Sequence, residues 1–491
     1  MLVPARSASA QGSEGRIMNA RTGSIVLVAL LASGTAAQRA DFEARREAAR
    51  AELRGALEGY VEWCQASNLF NERRKACELL LELEPAHTAA LKTLGYTRDK
   101  SGAWQAPAKP KAFRDFDKQA LAEAPARWRA ATEGYVQAML GLLEAGELSA
   151  EQREQAAAEA LRFDPDNARL HGLLGDVASD KGWVLPETLR AKAQRELLRG
   201  HVKQALEGAV SVAVPVALSE RERKIPLRFE AVAAPGLRVV GTASKDELQL
   251  TAQAVLALES FLQAVFTSDH ELPLDTTVFL LSDPAQRAPF VAHHPSIPPD
   301  ERAAYERLEG GGVQGTNDFA FWTGDMQRRI DGSVRLVLGY WLSGAFQIDV
   351  RQGWVYEGFG LFLTRALVRT RMTWLAEPAS VGDPQQGVVL RQRLLDPATN
   401  WMDESLRLLQ EKRQPPLGEL FKKSALQLTT EDVLTSYTLA TYLLEAHPEI
   451  VPKLLSRLGT GYSASAAFQE GLGMDLATFE RHLARWLKER N

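Results

Sequence analysis

The chain has 491 residues, of which 45% are hydrophobic and 24% are charged, a composition typical of a globular protein with about two to four domains. Its formal net charge is -4 at pH 7 and its pI is about 6.2. The chain lacks the basic excess that favours nucleic acids or anionic membranes, so neither is expected as a partner.

Residues 1–37 are interpreted as an export-signal region. After Met18, a short basic start precedes nine mostly apolar residues, Ser24–Ala32, and then small residues up to Ala37. This run is too short to span a bilayer, which needs about 20 apolar residues, and it suits a signal peptide. We expect translation from Met1 or Met18, cleavage near Ala37, and a periplasmic or extracellular protein, with a retained anchor as the alternative. No later segment is expected to span a membrane.

Residues 40–205 are rich in Ala, Leu, Glu and Arg, and their apolar spacing predicts amphipathic helices throughout. The segments Leu83–Gly95 and Phe163–Gly175 form an internal repeat, because each has an acid-Pro pair near its start and Leu-Gly at its end. The repeats resemble tetratricopeptide-type helical hairpins, although their offset of 80 residues is longer than that family's period of about 34. The resemblance implies a partner-binding or scaffold role. A plain helical spacer is the alternative.

The chain has two cysteines, Cys64 and Cys77, both in a predicted helical hairpin. In an oxidising compartment the hairpin would allow them to form a disulfide. The alternative is that both are small apolar core residues. Sequence spacing leaves both open, because disulfide formation depends on geometry.

From about residue 206 the pattern changes to an α+β domain, residues 206–374, which is followed by a helical subdomain of the same unit, residues 375–491. Residues 375–400 are expected to be irregular. β-Branched runs predict strands, which are 209–217, 227–232, 237–240, 276–281 and 319–322. Amphipathic runs predict helices, which are 245–266, 334–346, 354–369, 435–445, 450–458 and 476–490. The predicted fold class is mainly α, with helical-hairpin repeats before an α+β domain that contains a small sheet.

Over about residues 225–490, this order resembles the gluzincin domain called peptidase-MA-like. The apolar run Leu336–Leu338 matches the lead-in to the family's H-E-x-x-H motif, and Trp354-Val-Tyr-Glu-Gly-Phe-Gly360 is close to its W-L-x-E-G-x-A. In gluzincins, two His one helical turn apart and a Glu on the next helix bind zinc. The Glu between the two His acts as general base.

The resemblance implies that Gly339, Tyr340 and Ser343 stand at the positions of the first His, the general base and the second His. Glu357 stands at the position of the third ligand. Glycine has no ligand atom, and Tyr and Ser are poor zinc ligands, so one carboxylate remains where zinc needs three protein ligands. We therefore expect no cofactor, no bound metal and no catalytic residue. The alternative is an active zinc peptidase with unorthodox ligands.

Two hypotheses concern the side chains around this remnant. Because a buried carboxylate needs a partner, we expect the Tyr340 hydroxyl to donate a hydrogen bond to Glu357, unless Glu357 faces a solvated groove. The neighbourhood is aromatic, and it either packs two helices together or lines a retained peptide-binding groove. The groove candidates are Tyr340, Trp341, Trp354, Tyr356 and Glu357.

Other residues do not rebuild a catalytic site. His293 and His294 are adjacent, so on a helix their side chains point about 100° apart. Asp318, Asp325 and Asp331 follow no regular spacing and are expected in solvated turns. The chain has no G-x-S-x-G nucleophile motif and no Walker loop.

Together these patterns favour an exported, catalytically inactive relative of zinc metallopeptidases that binds a peptide or a protein. One alternative is an active zinc-dependent metallopeptidase. Another is a purely structural envelope scaffold that acts through the helical repeats. The sequence does not name the substrate or the partner.

Overall fold

The computed structural model of this protein describes residues 24–107, 115, 117–145, 148–266, 270–271, 275–306, 310–313, 315–371 and 384–490. Within its helices, the side chains of residues 24–39, 150–151 and 384–386 are not described. The predicted export signal, residues 18–37, therefore lies outside the residues whose side chains are described. The chain forms two compact units that divide between Pro186 and Glu187.

The first unit consists of helices and two short β-hairpins. Its helices are α1 Ser24–Ala66, α2 Phe70–Leu83, α3 Thr88–Thr93, α4 Lys118–Glu144, α5 Ala150–Leu161 and α6 Ala168–Leu174. Its hairpins are β1 Thr97–Arg98 with β2 Trp104–Gln105, and β3 Val177–Ser179 with β4 Gly182–Val184.

The predicted internal repeat corresponds to a repeated order of helices and hairpins in this unit. A long helix, a second helix, a short helix and a hairpin occur twice, and the second helices begin 80 residues apart at Phe70 and Ala150. Gly95 and Gly175 follow the short helices with φ of 84° and 77°, the left-handed conformation that glycine adopts at helix ends. The expectation of helix throughout residues 40–205 is wrong at the two hairpins, because strands of two or three residues are too short to show a period.

The two cysteines of this unit are buried free thiols and are not joined by the disulfide that their sequence spacing left possible. Cys64 packs in one hydrophobic cluster and Cys77 in another. Burial raises the pKa of Cys64 to about 11 and also raises the pKa of Cys77. The alternative of two small core residues describes both of them.

A charged cluster ties α1 and α4 to α5 in the same unit. The guanidinium of Arg46 binds the carboxylate of Glu159 through two nitrogens, and the Tyr135 hydroxyl donates to the same carboxylate at 2.5 Å. Arg50 lies 3.2 Å from it. Burial opposes ionisation of Glu159, but these partners outweigh burial and hold its pKa below the usual value.

The second unit contains a six-stranded sheet. Its strands are β5 Val214–Pro215, β6 Glu230–Ala234, β7 Leu237–Gly241, β8 Thr276–Leu280, β9 Gly310–Gly312 and β10 Asp318–Phe321. The order is β5-β6-β7-β8-β10-β9, in which β7, β8 and β10 are parallel. Strands β5, β6 and β9 pair antiparallel with their neighbours, and β9 forms one edge.

Helices make up the rest of the second unit. The helices up to the middle of the unit are α7 Pro186–Ala209, α8 Glu220–Arg223, α9 Lys245–Phe266, α10 Arg287–His293, α11 Arg302–Tyr305, α12 Met326–Phe346 and α13 Gly353–Leu367. Those that follow are α14 Pro384–Leu395, α15 Trp401–Gln410, α16 Leu417–Leu420, α17 Thr430–Ala446, α18 Val451–Gly459, α19 Ala464–Leu472 and α20 Leu476–Glu489. Single 3-10 turns lie at Pro284–Gln286, Ala425–Gln427 and Pro448–Ile450.

These elements confirm the predicted class of mainly α with an α+β part. Helix α7 belongs to the second unit, whereas the expected boundary at residue 205 placed almost all of it in the first. The predicted strand 209–217 is reduced to Val214–Pro215, and α14 occupies part of the stretch 375–400 that was expected to be irregular.

Helix α9 covers the sheet at β6 and β7 and also packs on α12. Among the described helices, α9 alone has the length and apolar composition that could cross a membrane. Most of its apolar side chains, which include Leu248, Val255, Phe261 and Leu262, are buried inside this unit, as expected of a core helix, whereas Leu250 is exposed.

Helix α13 packs chiefly on α17, and the contact is close. A Cβ placed on Gly358 would lie 2.3 Å from the carbonyl oxygen of Ser436. Glycine at this position therefore lets the two helix backbones approach each other. The packing holds α13, and with it Glu357, in a fixed place beside α12.

Candidate functional site

The two segments that resemble the gluzincin motif lie on α12 and α13, which are joined by a short connection. Asp325 begins α12 as its N-cap, with its carboxylate accepting a hydrogen bond from the Arg328 amide at 2.9 Å. Gln347 ends α12 in a left-handed conformation with φ of 59°. The predicted helix 334–346 thus starts about two turns earlier than its apolar period indicated, because polar residues fill its first turns.

Gly339, to which the resemblance assigns the position of the first His, faces an aromatic ring of α13. A Cβ placed on Gly339 would lie 2.6 Å from Cε2 of Tyr356 and 3.1 Å from its hydroxyl oxygen. Tyr356 is only 9% exposed. The ring therefore occupies the space that any side chain at position 339 would need.

Glu357, to which the resemblance assigns the position of the third ligand, is fully buried and forms an ion pair with Arg335 of α12. The distance from Arg335 Nη2 to Glu357 Oε2 is 2.5 Å, and the Arg335 side chain is 8% exposed. Gly360 makes room for this guanidinium, because a Cβ there would lie 3.1 Å from Arg335 Nε. Burial lowers the pKa of Arg335, but the carboxylates of Glu357 and Asp331 outweigh it and raise that pKa.

Asp331 adds a second carboxylate one helical turn before Arg335. It is fully buried, and the Thr370 hydroxyl donates a hydrogen bond to its Oδ2 at 2.5 Å. An isolated buried charge is strongly unfavourable, whereas opposite charges with hydrogen bonds compensate one another. We call Asp331, Arg335 and Glu357 the ionic triad: Arg335 and Glu357 form an ion pair that links α12 to α13, and the buried charge of Asp331 acts on the same guanidinium.

The predicted hydrogen bond from Tyr340 to Glu357 is wrong. The Tyr340 hydroxyl donates to Asn317 Oδ1 at 2.5 Å, and its ring meets Phe319 of β10 edge to face at 5.6 Å. Residues 339 and 340 point about 100° apart on a helix, so Gly339 faces α13 while Tyr340 faces the sheet. Arg335, which shares a helix face with Gly339, is the partner of Glu357 in place of Tyr340.

Most of the groove candidates are core residues. Trp341 is fully buried, donates its indole N–H to the His270 carbonyl at 3.0 Å and packs on Phe266. Trp354 is 1% exposed and packs on Phe421 and Phe468 at 5.3 and 5.8 Å. Tyr356 and Glu357 are buried as well, so Trp341, Trp354, Tyr356 and Glu357 do not line an open groove.

Tyr340 and Ser343 are the remnant positions that face outward. Tyr340 is half-buried and Ser343 is exposed. The neighbouring Gly344 is exposed and lies against His270, because a Cβ there would lie 2.4 Å from its Nε2. Ser343, which the resemblance places at the second His, therefore lies on the surface, and the one carboxylate of α13, Glu357, is buried at Arg335 instead.

A second buried polar cluster lies on the sheet. Asp318 accepts two hydrogen bonds from Arg221 at 2.8 and 2.9 Å, and His294 Nε2 lies 3.2 Å from its Oδ2. Asp318, His294 and Asp331 are all nearly or fully buried, so the expectation of solvated turns is wrong for Asp318 and Asp331. Asp325 is an exposed N-cap residue, in agreement with the expectation of a solvated position. His293 and His294 point apart as predicted, with His293 exposed and bonded to the Pro289 carbonyl.

These residues do not fit a zinc ion. Gly339 supplies no donor, Tyr356 fills the space beside it, and the carboxylate of Glu357 is bound to a guanidinium. Among the described residues, no group of three or more His, Cys, Asp or Glu side chains is placed to hold a metal ion. Zinc in catalytic sites binds three protein ligands, and these residues do not supply them.

Arg335 is the residue that the sequence interpretation missed. A signal was present, because a charged residue interrupts the apolar run Val334–Leu338. A charged residue on a buried helix face usually has a partner of opposite charge. Glu357 was the acidic residue already assigned to the facing helix.

The edge strand β9 presents backbone groups beside α12. The amide of Val313 donates to the Asp318 carbonyl at 2.8 Å, which makes residues 313 and 318 a hydrogen-bonded pair. Such pairs alternate along an antiparallel ladder, so Gly311 faces β10 while the N–H and C=O groups of Gly310 and Gly312 point away from it. No described strand pairs with that outer edge.

Comparison with known proteins adds no identification. No protein-family model, no curated protein and no solved structure matches this chain.

Proposed function

We propose that this protein is an exported, non-catalytic relative of gluzincin zinc peptidases that binds an extended segment of a peptide or protein. The ion pair between Arg335 and Glu357 carries the proposal. In a gluzincin, the Glu of the second helix is tied to the first helix through the metal. Here a guanidinium of the first helix ties the two helices directly, which supports loss of the metal with retention of the fold.

The absence of chemistry at the first helix supports the same conclusion. Peptide hydrolysis by this route needs a metal-bound water and a general base beside it. Tyr340 stands at the base position, and its hydroxyl donates to Asn317 instead of facing Glu357. Nothing at Gly339, Tyr340 or Ser343 would hold and activate a water molecule for attack.

The edge of β9 supports peptide binding. An extended peptide can join an exposed sheet edge through main-chain hydrogen bonds. Gly310 and Gly312 direct their peptide groups to that edge, and neither has a side chain that would obstruct an approaching strand. The bound segment would run beside Tyr340, whose ring packs on the neighbouring strand at Phe319.

A pair of substitutions at Gly312 tests this function. Gly312→Pro removes the outward amide, whereas Gly312→Ala retains it, and a Cβ there meets Phe319 at an ordinary 3.6 Å. We expect the purified chain to enrich extended sequences from a random peptide library. Gly312→Pro should weaken their binding about tenfold, because a hydrogen bond and close approach are lost, while Gly312→Ala binds as the wild type does.

The outcomes decide between the proposed functions. Equal binding by the proline and alanine variants would exclude β9 as the binding edge. Failure of the wild type to enrich any peptide would contradict peptide binding and favour the scaffold role. Cleavage of the library in a zinc-dependent manner would instead establish the active metallopeptidase.

A further inference from the structure

A cavity of about 330 Å3 lies in the second unit at the opposite end of α12 from Gly339. Four helices form it: the C-terminal part of α7, the middle of α9, the first turn of α12 and the end of α13. Its walls are mainly apolar and include Leu206, Leu250, Ala254, Met326, Ile330 and Leu367. Its volume is at the lower end of the roughly 300–1,000 Å3 found for small-molecule sites.

Two large apolar side chains of the wall remain open to water. Leu250 is 46% exposed and Met326 is 40% exposed. Single exposed apolar residues are normal on a protein surface, but here both belong to one concave wall. An apolar ligand in the cavity would remove both from water, and this burial favours binding.

The rim carries a cationic group where α13 ends. The chain turns at Arg369, which has φ of 59°, and the Thr370 amide bonds back to the Thr364 carbonyl at 3.3 Å. Arg369 is exposed and lines the cavity. Within the part of the chain that the structure describes, no carboxylate pairs with it. A guanidinium at an apolar cavity is suited to a carboxylate or phosphate head group, which it binds through two nitrogens.

We propose that this cavity binds an amphiphile with a short acyl chain and one anionic head group. The acyl chain lies against Leu250, Ala254 and Ile330, and the head group binds Arg369 at the rim. The site is separate from β9, so it is independent of the proposed peptide binding. Thr370, which lines the same rim, donates to Asp331 of the ionic triad, so the ligand would rest on a rigid part of the two-helix core.

The test uses calorimetric titration of the full chain with decanoate, decyl phosphate and decanol. We expect one saturable site for each of the two anions and about tenfold weaker binding of decanol, the difference made by one charge-assisted contact. Binding of decyl phosphate but not decanoate would assign a phosphate head group, and the reverse a carboxylate. Arg369→Gln should reduce anion affinity to that of decanol. Arg365→Gln, an exposed arginine one turn earlier on α13 that does not line the cavity, is the matched control and should change nothing.

Two substitutions probe the apolar wall. Ala254→Phe should fill the cavity and abolish binding. Leu250→Ser, at an exposed position that folding tolerates, should weaken all three ligands alike. Absence of a saturable site for both anions on the wild type would overturn the proposal. So would equal affinity for decanol and the anions, or unchanged binding in both wall variants while thermal unfolding shows that they are folded.

Discussion

The ionic triad makes a direct prediction about stability. Arg335→Met removes the guanidinium and leaves the carboxylates of Glu357 and Asp331 buried, with exposures of 0% each. Removing one partner of a buried ion pair costs about 3–5 kcal/mol, because the remaining charge loses its compensation. We therefore expect Arg335→Met to destabilise the second unit by about that amount.

Two further variants separate the pair from the packing around it. Glu357→Gln leaves Arg335 beside Asp331, so it should cost less, about 1.5–3 kcal/mol for the loss of a charged hydrogen bond. The double variant Arg335→Met with Glu357→Gln removes both charges and should be more stable than Arg335→Met alone. This non-additivity is the signature of a direct interaction.

Scanning calorimetry is the assay, because two compact units need not unfold in one transition. The reasoning is refuted if Arg335→Met shifts no transition by more than the equivalent of about 1 kcal/mol. It is equally refuted if the losses in the two single variants simply add in the double variant. In either case Arg335 would not be the group that compensates Glu357.

Three other predictions follow from the structure. Gly339→Ala should lower the free energy of unfolding, measured with denaturant, by about 1–3 kcal/mol, because the new Cβ would lie 2.6 Å from a tyrosine ring. The control Gly141→Ala, at a helical position with nothing within 4 Å, should be neutral or stabilising. Equal effects of the two substitutions would contradict the close contact. Folding lowers the pKa of Glu159, so the stability that its carboxylate contributes is complete above the unfolded pKa of 4.5 and is lost as pH falls through the folded pKa. In Glu159→Gln the melting temperature should therefore depend less on pH below 4.5 than in the wild type. The same pH dependence in both proteins would refute this. Cysteine alkylation at pH 8 should be slow in the native protein, because Cys64 and Cys77 are buried and have raised pKa values. After unfolding without reductant, both cysteines should react. Two unreactive cysteines in the unfolded chain would reveal a disulfide.

Much of the fold could be predicted because its long elements carry strong periodic signals. Helix 245–266 was predicted with its observed bounds, and α13 and β8 within two residues of theirs. The elements that were missed are short or irregular in pattern, such as the two hairpins of the first unit and α14. Segments this short or irregular show too little hydrophobic periodicity for a helix or a strand to be predicted from the sequence.

The burial of Glu357 was predicted, but its contacts were not. The sequence identified Glu357 as a buried carboxylate that needs a partner, and this is correct. The choice between Tyr340 and Arg335 depends on how α12 is rotated against α13, which is set by tertiary packing around Gly339 and Gly360. Sequence order alone does not contain that rotation, so the wrong neighbour was chosen. Of the two roles left open for the aromatic residues, core packing describes Trp341 and Trp354, which are buried against different partners.

The measurement that tests the central claim most directly is the zinc content of the purified full-length chain after equilibration with zinc and removal of the excess. We expect well below one zinc per chain and no peptidase activity, with no change on treatment with a chelator, because Arg335 holds Glu357 and Tyr356 fills the space beside Gly339. One zinc per chain, lost to a chelator together with cleavage of peptide substrates, would contradict it.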